Sequence, residues 1–146
     1  MNNQILKELV KLEPQIKWVT NMINEAEAAW PTHYDRTQPD DMYLRGMFYQ
    51  IQDKLNDARR LIRFTVAPVL KEGVLHKRSD GRYGLQDGTY FSSSGYIEYL
   101  LTEPGEDARW VSSRVEHDGE DYCIVGRKGL SLQGLRVRVK EIPLWD

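Results

Sequence analysis

The sequence contains one cysteine, Cys123, and no run of 18 apolar residues. A single cysteine excludes an internal disulfide and a cysteine-rich zinc site. The lack of a long apolar run excludes a membrane-spanning helix. The first eight residues show no basic segment followed by an apolar stretch, so we expect no secretory signal, no membrane partner and a cytoplasmic location.

Neither sign of charge predominates, since the 146 residues include 20 basic and 22 acidic side chains, for a net charge of −2. This balance argues against a protein that binds polyanions with its whole surface, but it allows a local basic patch. Catalytic patterns are scarce as well. The serines at 92–94 lack a nucleophile elbow, and no glycine-rich phosphate loop occurs. We therefore expect a non-enzymatic protein without a cofactor or metal.

Glycine is nearly absent from the first half of the chain. Gly46 is the one glycine before residue 73, whereas the other ten lie from Gly73 onward. Such a composition shift is typical of a domain boundary. The sequence therefore predicts two domains, residues 1–72 and residues 73–146.

Two heptad stripes indicate long helices in the first domain. The first stripe is Ile5, Leu9, Leu12, Ile16, Val19, Ile23, Ala26 and Trp30, and the second is Leu44, Phe48, Ile51, Leu55, Ala58, Ile62 and Thr65 or Val66. The second helix is predicted to end around Pro68 to Gly73. Pro14 predicts a kink or break near Glu13, Pro31 an end to the first helix, and Pro39 the first turn of the second. We expect an antiparallel helical hairpin, whose stripes also fit a homodimer formed through the helices.

The second domain shows six short alternating segments separated by turns that contain glycine. They are Val74–Lys77, Arg82–Leu85, Tyr96–Leu101, Trp110–Glu116, Tyr122–Val125 and Leu135–Glu141. Short strands joined by turns such as Asp-Gly are typical of small antiparallel folds. The whole chain is thus predicted to be α+β, a helical hairpin followed by a small antiparallel β-barrel of the SH3-like or OB-like kind.

Five segments of this domain carry a resemblance to a known family. They are Gly81–Leu85, Ser94–Leu101, Trp110–Asp118, Asp121–Gly126 and Leu132–Val139, and together they span about residues 73–141. In order and spacing they resemble an uncharacterised family of Firmicutes bacteria. The family is a domain of unknown function, often encoded on phages, plasmids and conjugative elements. The resemblance implies a compact β domain from a mobile element and assigns no functional residue.

A basic row on the last strand is the sharpest candidate site. On a strand, Arg136, Arg138 and Lys140 point to one face while the residues between them point inward. Arg114, Arg127 and Lys128 are expected to lie nearby. The row predicts contact with nucleic acid or an acidic partner, and the alternative is a solvated strand face that is paired with residues such as Glu98.

The helices carry a second set of candidates, Arg59, Arg60, Arg63, Tyr43 and Tyr49. Intrahelical ion pairs are the alternative for the arginines, and docking within the chain is the alternative for the tyrosines. Together these features predict a non-enzymatic interaction protein of a mobile element, with a protein partner. A narrower hypothesis is an anti-defence, anti-CRISPR type inhibitor of a bacterial defence nuclease. The alternative is a nucleic-acid-binding module that uses the basic strand.

Overall fold

The computed structural model describes residues 1–93 and 95–141. The protein is α+β, as predicted, with three helices followed by eight strands in the described residues. It divides into a helical unit, residues 1–66, and a β unit, whose described part is residues 67–141. Ser94 and residues 142–146, which belong to the predicted barrel domain, lie outside the described residues.

The helical unit contains α1 (Asn2–Ala28), α2 (Trp30–His33) and α3 (Pro39–Val66). Helix α1 continues through Pro14, so of the predicted kink or break near Glu13 the structure has no break. One proline removes a single N–H donor, and the contacts of α1 with α3 on both sides of it maintain the helix. Pro31 also favours an extended conformation at the preceding Trp30. Trp30 is instead the first residue of α2, because proline is well accommodated in a first helical turn.

Polar contacts join α1 to α3 along their length. Arg59 donates a hydrogen bond to Glu13, and Gln52 donates one to Asn24. Near the other end of the pair, Arg45 Nη2 lies 2.6 Å from Glu27 Oε1. The unit buries few apolar side chains, Ile16 on α1 and Ile62 on α3 among them.

The β unit forms two antiparallel sheets. The strands are β1 (Val69–Val74), β2 (His76–Lys77), β3 (Tyr83–Gly84), β4 (Tyr90–Phe91), β5 (Gly95–Leu101), β6 (Arg109–His117), β7 (Tyr122–Ile124) and β8 (Arg136–Lys140). The larger sheet has the order β1-β8-β5-β6-β7, and the smaller one has the order β2-β3-β4.

Both sheets contribute to one core. Its buried members are Leu75, Tyr83, Phe91, Ile97, Tyr99, Leu101, Val115, Ile124, Leu132 and Val137. On β5, every second side chain, Ile97, Tyr99 and Leu101, is buried in the core, because side chains along a strand alternate between its two faces. Complete burial of such a side chain contributes about 1.5–3 kcal/mol to the free energy of unfolding.

The described strands do not close into a barrel, so the SH3-like or OB-like prediction is not met in this respect. The physical reason lies in residues 76–91, which make two tight turns and have strands of two residues each. Such short strands pair with one another and are too short to join the edges of the larger sheet. In the turn between β2 and β3, Gly81 has a φ angle of +85°, a backbone conformation that favours glycine.

The sequence predicts the end of the second helix around Pro68 to Gly73, where the structure has strand β1. Helix α3 instead ends at Val66, since Pro68 disfavours a helical conformation at Ala67. Val69–Val74 then pairs with β8, with Gly73 opposite Val137. In the described part of the chain, the helices are too polar or too short to cross a bilayer.

Candidate functional site

The basic residues of β8 lie on the sheet face opposite the core. Val137 is buried in the core, so strand alternation directs Arg136, Arg138 and Lys140 to the other face. There Arg136 Nη2 lies 2.5 Å from Glu72 Oε1 on the neighbouring β1. This pair is exposed, so its two charges neutralise each other while solvent still reaches both.

Glu98 on β5 holds the other two cations of the row. It is the register partner of Arg138, whose Nε lies 2.6 Å from Glu98 Oε1. Lys140 Nζ lies 3.6 Å from Glu98 Oε2. The Arg138 guanidinium also stacks on Trp110 of β6, 4.4 Å from the ring centroid. The lysine and glutamate side chains are only 10% and 14% exposed, so this cluster is largely shielded from water.

The remaining predicted basic residues lie elsewhere on the β unit. Arg114 is exposed on β6 and has no ion-pair partner among residues 1–93 and 95–141. Arg127 Nη2 lies 2.6 Å from Glu103 Oε1, and this hydrogen bond holds the pKa of Glu103 below its ordinary value. Arg127 and the exposed Lys128 follow β7, at the opposite edge of the sheet from β1. The six basic residues therefore do not form one continuous patch.

The three predicted arginines of α3 also have different surroundings and do not form one patch. Arg59 is 3% exposed and is directed at Glu13 of α1. Arg63 lies 3.9 Å from the same carboxylate. Arg60 pairs with Asp57 at 3.6 Å within the helix. A partner could not reach Arg59 without opening the contact between α1 and α3.

Tyr43 and Tyr49 are exposed on α3, at 64% and 71%. They are six positions apart, which places them on different sides of a helix with 3.6 residues per turn. The two tyrosines therefore do not form a single aromatic surface.

Each long helix leaves part of its heptad stripe exposed. On α1, Ile16 is buried and Ile23 is half-buried, whereas Leu12 and Val19 are 43% and 37% exposed. On α3, Leu44 and Ile51 are each 43% exposed. We call Leu12, Val19, Leu44 and Ile51 the apolar face.

Every residue of the apolar face directly precedes a residue that is buried or that contacts the other helix. These neighbours form the pairs Leu12–Glu13 and Val19–Thr20 on α1, and Leu44–Arg45 and Ile51–Gln52 on α3. One position backward is a rotation of about 100° around a helix axis. On both helices, the apolar face is therefore rotated by the same angle from the contact line, the row of residues that are buried or that contact the other helix.

The smaller sheet carries a cluster that the sequence patterns did not single out. The guanidinium carbons of Arg78 and Arg82 lie 4.6 Å and 5.1 Å from the centroid of the Tyr90 ring. Lys77 Nζ lies 5.9 Å from the ring of Tyr83 on the next strand. The signal available in the sequence was Lys77-Arg78 and Arg82 on either side of a tight turn.

Cys123 is buried, and its Sγ lies 3.9 Å from Glu116 Oε1. Burial, followed by the nearby Glu116 carboxylate, raises the pKa of this thiol. Within the described ranges, no three His, Cys, Asp or Glu side chains are grouped so that they could hold a metal ion.

Comparison with known families supports the resemblance of the second half. Residues 73–139 match the model of a domain of unknown function, DUF5348. The match covers the β unit from the end of β1 to β8 and does not include the helices. No curated protein and no solved structure shows significant similarity to the chain.

Proposed function

We propose that this chain is a non-enzymatic interaction protein whose helical unit binds another protein through the apolar face. The observation that carries the proposal is the pair of exposed heptad stripes on α1 and α3. Large apolar side chains that share one surface mark interaction sites more often than isolated ones do.

The order of the polar contacts supports an antiparallel hairpin. Residue 13 of α1 meets residue 59 of α3, while residue 27 meets residue 45. In an antiparallel pair, equal rotations from the contact line bring both stripes to the same side. Leu12, Val19, Leu44 and Ile51 then form one surface that spans both helices.

This surface suits an amphipathic segment of a protein partner. Heptad-spaced leucine, isoleucine and valine residues accept the apolar stripe of another helix. Covering the exposed part of each side chain would contribute about 1 kcal/mol to binding. Four such residues provide the apolar centre of an interface, and polar contacts around them would supply specificity.

The identity of the partner is a narrower part of the proposal. We propose a mobile-element origin for the chain on the sequence resemblance alone, and with it a bacterial partner, with a defence nuclease as the specific hypothesis. A mobile-element protein that inhibits such a nuclease would act by occupying a surface, which requires no catalytic group of its own.

The test is affinity capture from bacterial lysate with the tagged full-length chain, with and without nuclease treatment. We expect a stoichiometric protein that survives nuclease treatment and is lost with the Leu12→Glu/Ile51→Glu variant. The matched control is Leu61→Glu, which changes an exposed leucine of α3, two positions beyond Arg59 and hence away from the apolar face.

Three outcomes would overturn the proposal. One is equal loss of the captured protein in the control variant, provided that circular dichroism shows both variants folded. Another is capture that disappears with nuclease. The third is a homodimer in light scattering that the Leu12→Glu/Ile51→Glu variant abolishes, since the face would then belong to a second copy.

Nucleic-acid binding through β8 is the second candidate function. Trp110 of β6, which stacks with Arg138, and the exposed Arg114 on the same strand favour it. The carboxylates of Glu72 and Glu98 oppose it, because a phosphate group would have to compete with them. We expect any binding at this site to weaken with salt and in Arg136→Ala/Arg138→Ala, and salt-independent binding would contradict it.

A further inference from the structure

The smaller sheet concentrates positive charge around one exposed aromatic ring. Tyr90 on β4 is 49% exposed, and both Arg78 and Arg82 lie over its ring. The two arginines flank the turn at residues 79–81, where Arg78 N donates a hydrogen bond to Arg82 O at 2.7 Å. The backbone of the turn thus fixes where both side chains begin.

Further contacts hold each guanidinium in place. Arg78 Nη1 donates a hydrogen bond to the carbonyl oxygen of Gly88 at 3.1 Å. Arg82 donates a hydrogen bond to Tyr122, which raises the pKa of Arg82. Each contact uses only part of the donor set, since a guanidinium has five N–H groups. Both arginines therefore retain donors for an external anion.

Acidic neighbours compensate these cations only weakly. Asp80 Oδ2 lies 3.5 Å from Arg78 Nε, and Asp121 Oδ2 lies 3.5 Å from Lys77 Nζ. Arg82 has no carboxylate within ion-pair distance in the part of the chain that the structure describes. The β8 pairs, at 2.5–2.6 Å, are much closer. Because Asp80 pairs with Arg78 and Arg82 has no such carboxylate, the two arginines together keep a net positive charge, which favours the binding of an anion.

We propose that Arg78, Arg82 and Tyr90 form a binding site for the phosphodiester backbone of a single-stranded nucleic acid. Guanidinium groups match phosphate oxygens with paired N–H donors. The planar faces of guanidinium and tyrosine groups offer stacking surfaces for unpaired bases.

The openness of the cluster favours a strand over a single phosphorylated side chain. Arg78 is 38% exposed and Tyr90 is 49% exposed. A site for one phosphate group would enclose it, whereas these side chains spread along an exposed turn. The cluster is also distinct from the apolar face of the helical unit, so this proposal does not depend on protein binding.

The test is fluorescence anisotropy of a labelled oligothymidine of about 15 nucleotides with the full-length chain, over a series of salt concentrations. We expect binding that weakens with salt. The Arg78→Ala/Arg82→Ala variant should lose affinity by at least about tenfold and show a salt slope smaller by about 1–2. Arg78→Lys/Arg82→Lys should retain part of the affinity, because it keeps the charge and loses the paired donors.

The matched control is Lys11→Ala/Arg109→Ala, which removes two exposed cations that belong to no proposed binding site and changes the net charge equally. Equal loss of affinity in this control would overturn the proposal, since binding would depend on net charge alone. Undetectable binding at low salt, or tighter binding to a duplex of the same length, would also overturn it.

A second arm separates the nucleic acid from free phosphate. Calorimetric titration with inorganic phosphate should show much weaker binding than the oligonucleotide does. If phosphate binds as tightly and depends on Arg78 and Arg82 in the same way, the site accepts small anions and the nucleic-acid proposal is overturned. Thermal melting of each variant establishes that it is folded.

Discussion

Arg138 Nε donates a hydrogen bond to Glu98 Oε1 at 2.6 Å, from the facing position of the neighbouring strand. The same carboxylate lies 3.6 Å from Lys140 Nζ. One glutamate therefore balances two cations of the strand that was predicted to bind nucleic acid. The row is an arginine–glutamate–lysine cluster within the sheet as much as it is a basic surface.

We predict that Glu98→Gln lowers the free energy of unfolding by about 1–3 kcal/mol, because it removes the shielded carboxylate that pairs with both Arg138 and Lys140. Denaturant unfolding followed by tryptophan fluorescence measures the change. Glu106→Gln is the control, since its pair with Arg109 is exposed and 3.7 Å long, and it should have no measurable effect. Equal stability of Glu98→Gln and the native protein would show that the cluster does not stabilise the sheet.

Residue patterns predicted the elements with strong periodicity. Helix α3 begins at Pro39, where proline and two aspartates indicated a start. Strands β5 and β6 lie within two residues of the predicted segments because alternating apolar side chains define them. Strand β1 has no such alternation and is mostly exposed, so its pairing with β8 decides its conformation. Tertiary contacts of this kind override local preference.

The contacts within the candidate sites are harder to predict, because they join residues that are far apart in the sequence. The sequence places Arg138 and Glu98 forty positions apart, and only the strand order β8-β5 brings them together. Glu98 could be named as a candidate partner from its place on a strand, whereas Glu72 could not, because its strand was not predicted. The Arg78–Tyr90–Arg82 cluster likewise arises from the pairing of two-residue strands that carry almost no periodic signal.

We predict an acid-sensitive contribution of Asp87 to the stability of the β unit. Hydrogen bonds from Thr89, followed by the nearby Lys71, lower the pKa of Asp87 to about 2. A carboxyl whose pKa is depressed in the folded state stabilises the protein above its unfolded pKa, about 3.9. That contribution disappears as pH falls through the folded pKa, so the window runs from about pH 4 to about pH 2.

Thermal melting of Asp87→Asn against the native protein tests this dependence. The native protein should melt at the higher temperature at pH 6, and the difference should shrink toward pH 2. Asp107→Asn, at an exposed aspartate in the loop between β5 and β6, controls for the loss of one negative charge. A difference that stays constant from pH 6 to pH 2 would contradict the prediction.

We predict that Cys123 reacts slowly with thiol reagents in the folded protein. The thiolate is the reactive form, and burial together with the Glu116 carboxylate raises the pKa of this thiol. Reaction with a chromogenic disulfide at pH 8 should be slower by at least about tenfold than in urea, where the chain is unfolded. A rate equal to that of the unfolded chain would show that the β7 edge opens readily.

We predict that the pair formed by Glu13 and Arg59 is a source of specificity for the helical unit rather than of stability. Arg59 is 3% exposed, so the pair has lost most of its hydration, and its mutual attraction roughly offsets that loss. Glu13→Ala should lower the free energy of unfolding by about 3–5 kcal/mol, because it leaves Arg59 buried without this carboxylate. Replacing both residues with apolar ones, Glu13→Leu/Arg59→Met, should restore stability to within about 1 kcal/mol of the native protein.

Urea unfolding followed by helical circular dichroism measures both variants, and light scattering reports their oligomeric state. Because Arg59 fixes which residues of α1 and α3 meet, the double variant should fold yet associate more readily through a less defined apolar contact. A double variant as unstable as Glu13→Ala would mean that the pair stabilises the unit outright, through hydrogen bonds that apolar side chains cannot replace. In that case the contact between α1 and α3 would depend on charge more than on its heptad stripes.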